Sequence, residues 1–372
     1  MKKFIVLLVT AVMVVSIIFA GCMPGAPVTP PVTPPVTPPV TPPVEPPVTP
    51  PVEPPVEEIT LLYHCPFPPD VYISNVEEAY LDEVEERTEG RVTFERIFGG
   101  VLGYIDKQPE NLQGRVIDIG QISYVYSPGL YKLGCVTTLP TIEDVPRVWA
   151  HASHELVKTT PAVLAEYEAL NSKYLFTFAL EPMEMMTHEP CYTLEDFEGL
   201  VLRCHGGSAL AFAKIGWIGS SVPWDEYPAV AAMGGVDGGC HPVPVVGRDA
   251  GLCGVFKYWQ TPFPIYQFHF AFAMNMDAWS ELPPDIQEIM LEAADEMGDV
   301  GMDMLDAEIG KGTQDCLDAG VTIIDWPAEE LERFRELAGE PVWVDWVAET
   351  EAAGLPGQEI LDAFQAILAT YR

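Results

Sequence analysis

From residue 59 onward the chain alternates between short apolar runs and longer stretches of helical spacing. Ile59 to Phe67 and Val92 to Phe98 have the aromatic and β-branched character of strands. Between them Val76, Ala79, Tyr80 and Val84 recur at helical spacing with acids opposite, which predicts a helix over Asn75 to Thr88. Val116 to Ile122 reads as a strand after a short helix. A helical zone follows from Val145 to Ser172, then a buried strand over Tyr174 to Leu180. Leu200 to His205 reads as another strand, leading into a helix over Ser208 to Ile215. Pro284 to Leu317 is a long helical stretch, and Pro327 suits the first turn of a further helix. Strand and helix in alternation predict an α/β fold with parallel sheets and helices on both faces. The length of this region predicts two such domains, with a ligand at the strand C-termini in the crevice between them.

The N-terminus has a different pattern. Lys2 and Lys3 precede an apolar run, Phe4 to Phe19, broken only by Thr10 and Ser16. As a helix it reaches roughly 24 Å, short for a comfortable span. Phe19-Ala20-Gly21-Cys22 resembles a bacterial lipobox, although Phe19 stands where Leu is usual. That resemblance makes residues 1–21 a signal peptide and Cys22 the lipidated first residue of the mature chain. An ordinary signal peptide or an uncleaved anchor are the alternatives. All three place the body outside the cytoplasm, on the outer face of the membrane or in a periplasm. From Pro27 to Pro54 the unit Pro-Val-Thr/Glu-Pro recurs seven times. Pro-Pro pairs fix φ and remove donors, so residues 22–57 are a proline-rich linker whose polyproline II stretch, Pro27 to Val56, reaches on the order of 90 Å.

Composition narrows the function. Of 372 residues, 55 are Asp or Glu and 19 are Lys or Arg, a formal charge of -36. Such a chain repels phosphate backbones and anionic lipid heads, which excludes nucleic-acid binding as its function. A multispan transporter is excluded too, because the sole membrane-grade run is the N-terminal one. There are 8 cysteines. With Cys22 lipidated an odd number remains, so at least one thiol is free or paired between chains, and spacing assigns no pairing. No Cys-x-x-Cys, Gly-x-Ser-x-Gly or Gly-x-x-x-x-Gly-Lys motif occurs, so no zinc ribbon, hydrolase elbow or NTPase is indicated.

Several segments, in order, resemble the extracytoplasmic solute receptors of TRAP transporters, the DctP type. Glu85-Glu86-Arg87-Thr88-Glu89-Gly90-Arg91-Val92 matches that family's helix end and strand start, and Gly99-Gly100-Val101-Leu102-Gly103 its glycine turn. Leu112 to Gly120, Leu194 to Arg203, Val222-Pro223-Trp224-Asp225-Glu226-Tyr227 and Gly235-Val236-Asp237-Gly238 match further pieces. The resemblance covers Ile59 to Arg372. It implies a two-lobed periplasmic-binding-protein fold (type II, Venus-flytrap, with parallel or mixed sheets). Lobe I would comprise 58–180 and 269–308, and lobe II 181–268 and 309–372. It also implies a receptor, not an enzyme, that needs no cofactor and hands a small organic acid to a membrane permease. A metal or metal-carboxylate receptor and a ligand-sensing surface lipoprotein are the rival functions.

A carboxylate in a closing cleft needs a fixed cation, and Arg grips two oxygens without deprotonating. Arg203 stands where the family holds its carboxylate-binding arginine. His241 replaces an Asn that often assists it there. If Arg203 faces the cleft on a strand, so does His205. Met183 falls near a second basic position of acid-binding relatives, which favours a monocarboxylate or a ligand with an apolar body. Among the aromatics, Trp224 and Tyr227 lie on a segment that opens on the cleft in the family. His64, Gln121, Ser123 and Tyr124 lie at strand ends of the first lobe and can close over the ligand. Two metal constellations compete: His151, His154 and Glu155 on one helix, and Cys204-His205 with Cys240-His241. The first lacks a third ligand, and strand alternation weakens the second.

Overall fold

The computed structural model describes residues 58–372. The expected signal peptide, the lipidated Cys22 and the proline linker lie outside the described residues. Ten strands form one sheet: β1 (Ile59–Cys65), β2 (Val92–Phe98), β3 (Ile119–Ile122), β4 (Ser172–Thr187), β5 (Val201–Arg203), β6 (Ile218–Ser220), β7 (Gly238–Pro242), β8 (Tyr258–Thr261), β9 (Tyr266–Asn275) and β10 (Thr322–Asp325). The order is β2-β1-β3-β9-β4-β7-β5-β6, with β8 against β4 and β10 against β8.

The sheet is mixed. β1 runs parallel to β2 and β3, and β5 parallel to β6 and β7. The long central pair β4 and β9 is antiparallel, and β9 is antiparallel to β3 as well. The α/β alternation accounts for the parallel part. The antiparallel centre comes from two strands far apart in sequence, whose partnership no local pattern carries. Helices Tyr72–Arg87 and Pro284–Asp318 lie side by side, with Tyr80 donating to the Met290 carbonyl at 3.0 Å. The core that they cover is aromatic: Tyr63, Tyr80, Phe176 and Phe272 meet within 6.0 Å of one another along successive contacts. A smaller core around Tyr227, Phe256 and Trp259 contains the disulfide Cys253–Cys316.

Several element ends differ from expectation, each for a physical reason. The strand expected to stop at Leu180 continues to Thr187. Its polar interruptions find partners: Glu181 Oε1 accepts from the Val245 and Val246 amides, the latter at 3.1 Å, and Glu184 from Trp259 Nε1 at 2.7 Å and Thr261 Oγ1 at 2.9 Å. A register shift between Ala179 and Pro182 absorbs the proline. The helical zone is two helices, Pro146–Thr159 and Pro161–Glu168, because the residue before a proline is held extended. β3 begins at Ile119, since Val116 is exposed. β5 stops at Arg203, two residues short of His205. Pro327 caps the helix Ala328–Phe334 from just outside its first turn. Among the described residues no helix is long and apolar enough to cross a membrane.

Candidate functional site

Arg203 is the last residue of β5 and pairs in register with Ser220 and Gly239 on its two neighbours. The side chain is 2% exposed. Nε donates to the Val222 carbonyl at 3.3 Å and Nη1 to the Cys240 carbonyl at 3.0 Å. Two backbone oxygens thus hold the fork through two of its five N–H groups. The guanidinium lies against the rings of Trp224 and Tyr227, at 5.4 and 4.9 Å from their centroids. A Cβ at Gly239 would stand 2.2 Å from the Tyr227 hydroxyl. Only glycine lets the tyrosine lie so close under Arg203.

Arg203 is the one charged residue lining a narrow cavity of about 30 Å³. The other walls include Phe67, Tyr126, Met183, Trp224 and Phe270. Phe67, Ile73, Trp224 and Val246 also border an outer space of about 410 Å³. A single cation in apolar, aromatic walls can hold one carboxylate through charge-assisted hydrogen bonds and cover its carbon body.

Met183 and Trp224 therefore share the cavity with Arg203. Tyr227 and His241 stand behind the arginine. His241 is fully buried, and its Nδ1 lies 3.2 Å from the Tyr227 hydroxyl. Burial, with the Arg203 charge adding to it, pushes this imidazole down to about 3, so it is neutral. His205 donates from Nε2 to the Val222 carbonyl at 2.7 Å, and its ring stacks on Tyr126 at 5.4 Å. Burial and then Arg203 push it down to about 4. Strand alternation does not orient His205, because β5 ends before it.

His64, Gln121, Ser123 and Tyr124 do not line this cavity. His64 donates to the Gly99 carbonyl at 2.8 Å and receives a bond from Gln108 at 2.7 Å. Burial lowers its pKa. Gln121 is buried opposite Phe272, and neither amide atom has a partner among the described residues. The Ser123 hydroxyl is buried and unpartnered as well. Tyr124 bonds to the Tyr167 hydroxyl and packs on His269 at 4.8 Å, on the sheet face opposite Phe268 and Phe270. The residue in the cavity is Tyr126, two positions on. Its phenol is raised by burial, while the Arg203 charge and a hydrogen bond to it act the other way. Tyr126, Phe67 and Phe270 were not legible from spacing. Tyr126 follows the end of β3, where no periodicity assigns a direction.

The rival constellations have other partners. His154 meets the Tyr174 hydroxyl at 2.8 Å and Asp295 at 3.2 Å, and His151 meets Asp299 at 3.1 Å. With Arg147 and Lys158 these histidines line the acidic face of helix Pro284–Asp318. Cys204 and Cys240 are buried free thiols whose pKa burial raises. Among the described residues no group of three or more His, Cys, Asp or Glu is placed to hold a metal ion.

Comparison with solved structures places the fold. A TRAP solute-binding protein from Rhodoferax ferrireducens, crystallised with copurified benzoate, superposes with a TM-score of 0.77 at 24% identity, covering 84% of this chain and 98% of that one. One from a marine metagenome, in complex with metahydroxyphenylacetate, gives 0.77 at 19% identity over 84% and 99%. One from Desulfovibrio salexigens with bound orotic acid gives 0.74 at 21% identity over 85% and 100%. These likenesses establish the mixed α/β architecture of a periplasmic binding protein. The sequence profile of the bacterial extracellular solute-binding proteins, family 7 (DctP), matches residues 68–350. The chain belongs to that family, the extracytoplasmic solute receptors of TRAP transporters.

Proposed function

We propose that this protein is a lipid-anchored receptor that binds a small organic acid outside the cytoplasm and delivers it to a TRAP-type permease. The observation that carries the reading is Arg203, a buried cation held by two backbone carbonyls with its remaining donors beside an aromatic cavity. The similar structures hold benzoate, metahydroxyphenylacetate and orotic acid as their ligands. The apolar walls and Met183, in place of a second cation, favour an acid with one carboxylate and an apolar body.

In this reading residues 58–180 with 269–308, and 181–268 with 309–372, are two lobes that part to admit the acid. The inner cavity holds little more than water, so the ligand reaches Arg203 by movement of Trp224, Phe67 or the lobes. Its binding energy shifts the open and closed populations only through its greater affinity for the closed form. Cys22 carries the lipid, and the proline linker spaces the receptor from the membrane.

The test is thermal melting with a panel of small carboxylates, on wild type and on Arg203→Ala. A ligand at a hundred times its Kd adds about 2.7 kcal/mol, a rise of roughly a few degrees. The reading requires one acid that stabilises wild type and does nothing for Arg203→Ala. Stabilisation by metal ions alone would overturn it.

A further inference from the structure

The path from Arg203 outward changes sign. The inner cavity has the arginine, and the outer space that shares its Phe67 and Trp224 walls is bordered by Asp225 and Asp249. Asp249 is held by Arg248 at 2.8 Å. Asp225 is exposed at the mouth, and no Lys or Arg among the described residues pairs with it. Tyr104 borders the same space, and its hydroxyl is buried without a hydrogen-bond partner among the described residues. Burial keeps that phenol protonated, and the charges of both Asp225 and Arg203 reach it. The Tyr126 phenol likewise feels both. An occupant of this path therefore meets a fixed cation at its inner end, and a carboxylate and a neutral hydroxyl at its outer end.

We propose that Asp225 determines specificity at the mouth of the site. It selects monocarboxylic acids whose far end bears a hydrogen-bond donor, a hydroxyl or an ammonium, and it rejects dicarboxylates. The inference rests on the carboxylate-receptor reading and names the ligand class more narrowly. A second ligand carboxylate would face the Asp225 carboxylate across the mouth, where like charges repel. A donor there meets an acceptor in Asp225 and a partner for the orphaned Tyr104 hydroxyl.

Calorimetric titration of benzoate, isophthalate, terephthalate and 3- and 4-(aminomethyl)benzoate into the full chain tests this, with wild type, Asp225→Asn and Arg203→Ala. Wild type should bind one aminomethyl acid more tightly than benzoate, and both diacids about tenfold or more weakly than benzoate. Asp225→Asn should narrow both differences about tenfold while moving benzoate less than about twofold. Arg203→Ala should abolish binding of every probe. Diacids that bind wild type as well as benzoate, or an Asp225→Asn effect equal for all probes, would overturn the role of Asp225 and leave the Arg203 reading standing. Benzoate binding that survives Arg203→Ala would overturn the receptor reading itself. If no probe binds at millimolar concentration, the ligand class proposed here is wrong.

Discussion

The Arg203 guanidinium lies 4.9 Å from the centre of the Tyr227 ring, which has His241 at its hydroxyl. The ring supports the cation from behind, in a desolvated setting where such a contact contributes about 2 kcal/mol. Tyr227→Leu should therefore weaken acid binding more than about tenfold, as read by calorimetry. Tyr227→Phe keeps the ring and should stay within about threefold of wild type. Equal affinities for wild type and Tyr227→Leu would show that the Tyr227 ring adds nothing to the hold on Arg203.

Gly239 is the floor under that pair. A methyl there would meet the Tyr227 hydroxyl at 2.2 Å and Arg203 Cβ at 3.0 Å. Gly239→Ala should cost about 1–3 kcal/mol of stability and displace both side chains. Melting and acid titration should both register it. An unchanged melting temperature with unchanged affinity would contradict the packing described here.

Glu77 sets a pH dependence. It is buried beside Tyr63, whose hydroxyl donates to it at 2.6 Å. Burial raises its pKa from 4.5 to about 8, the hydrogen bonds acting against the rise. The folded state therefore keeps a proton that the unfolded state releases. Stability from this group is complete below pH 4.5 and is lost as pH climbs through about 8. Glu181 and Glu184, each raised to about 7, add the same sign. Buried His269, pushed down to about 3 by burial, adds the opposite sign below its ordinary value of 6.5. Glu77→Gln should flatten the fall in melting temperature between pH 5 and 8 and be more stable than wild type at the upper end. Parallel curves for the two proteins would refute the assignment.

The disulfide Cys253–Cys316 closes a loop with a sequence separation of 63. Chain-entropy arguments give such a closure about 4 kcal/mol. The double variant Cys253→Ser, Cys316→Ser should melt well below wild type. Thiol labelling of unreduced, denatured protein should modify Cys65, Cys135, Cys191, Cys204 and Cys240 but not the bonded pair. Labelling of Cys253 in that experiment would rule the bridge out.

Elements whose side chains carry their own period were legible. β2 and the helix Pro284–Asp318 lie within a residue of where apolar spacing puts them. Elements that need a distant partner were not. β4 runs through Glu181, Pro182 and Glu184 because Val246, Trp259 and Thr261, far along the chain, donate to the two carboxyl groups. The site divides in the same way. Arg203, Trp224 and Met183 came from motif position and residue chemistry, and they border one cavity. His241 looked like a ligand contact by its place in the motif, but it is buried behind Tyr227. Tyr124 and Tyr126 could not be told apart, since the chain leaves β3 between Ile122 and either of them.

The order of residues alone determined that the body is α/β, that it is too acidic for nucleic acid, and which arginine could face a carboxylate. The first two depend on composition and on periods of two and 3.6 residues, which are local, and the arginine on its place in the family resemblance. The antiparallel pairing of β4 with β9, the aromatic support of Arg203 and the meeting of Arg203, Tyr104 and Asp225 around one path emerged with the tertiary structure. Each joins residues from separate elements. Their proximity is set by how the sheet closes and packs, and neighbours along the chain carry no record of it.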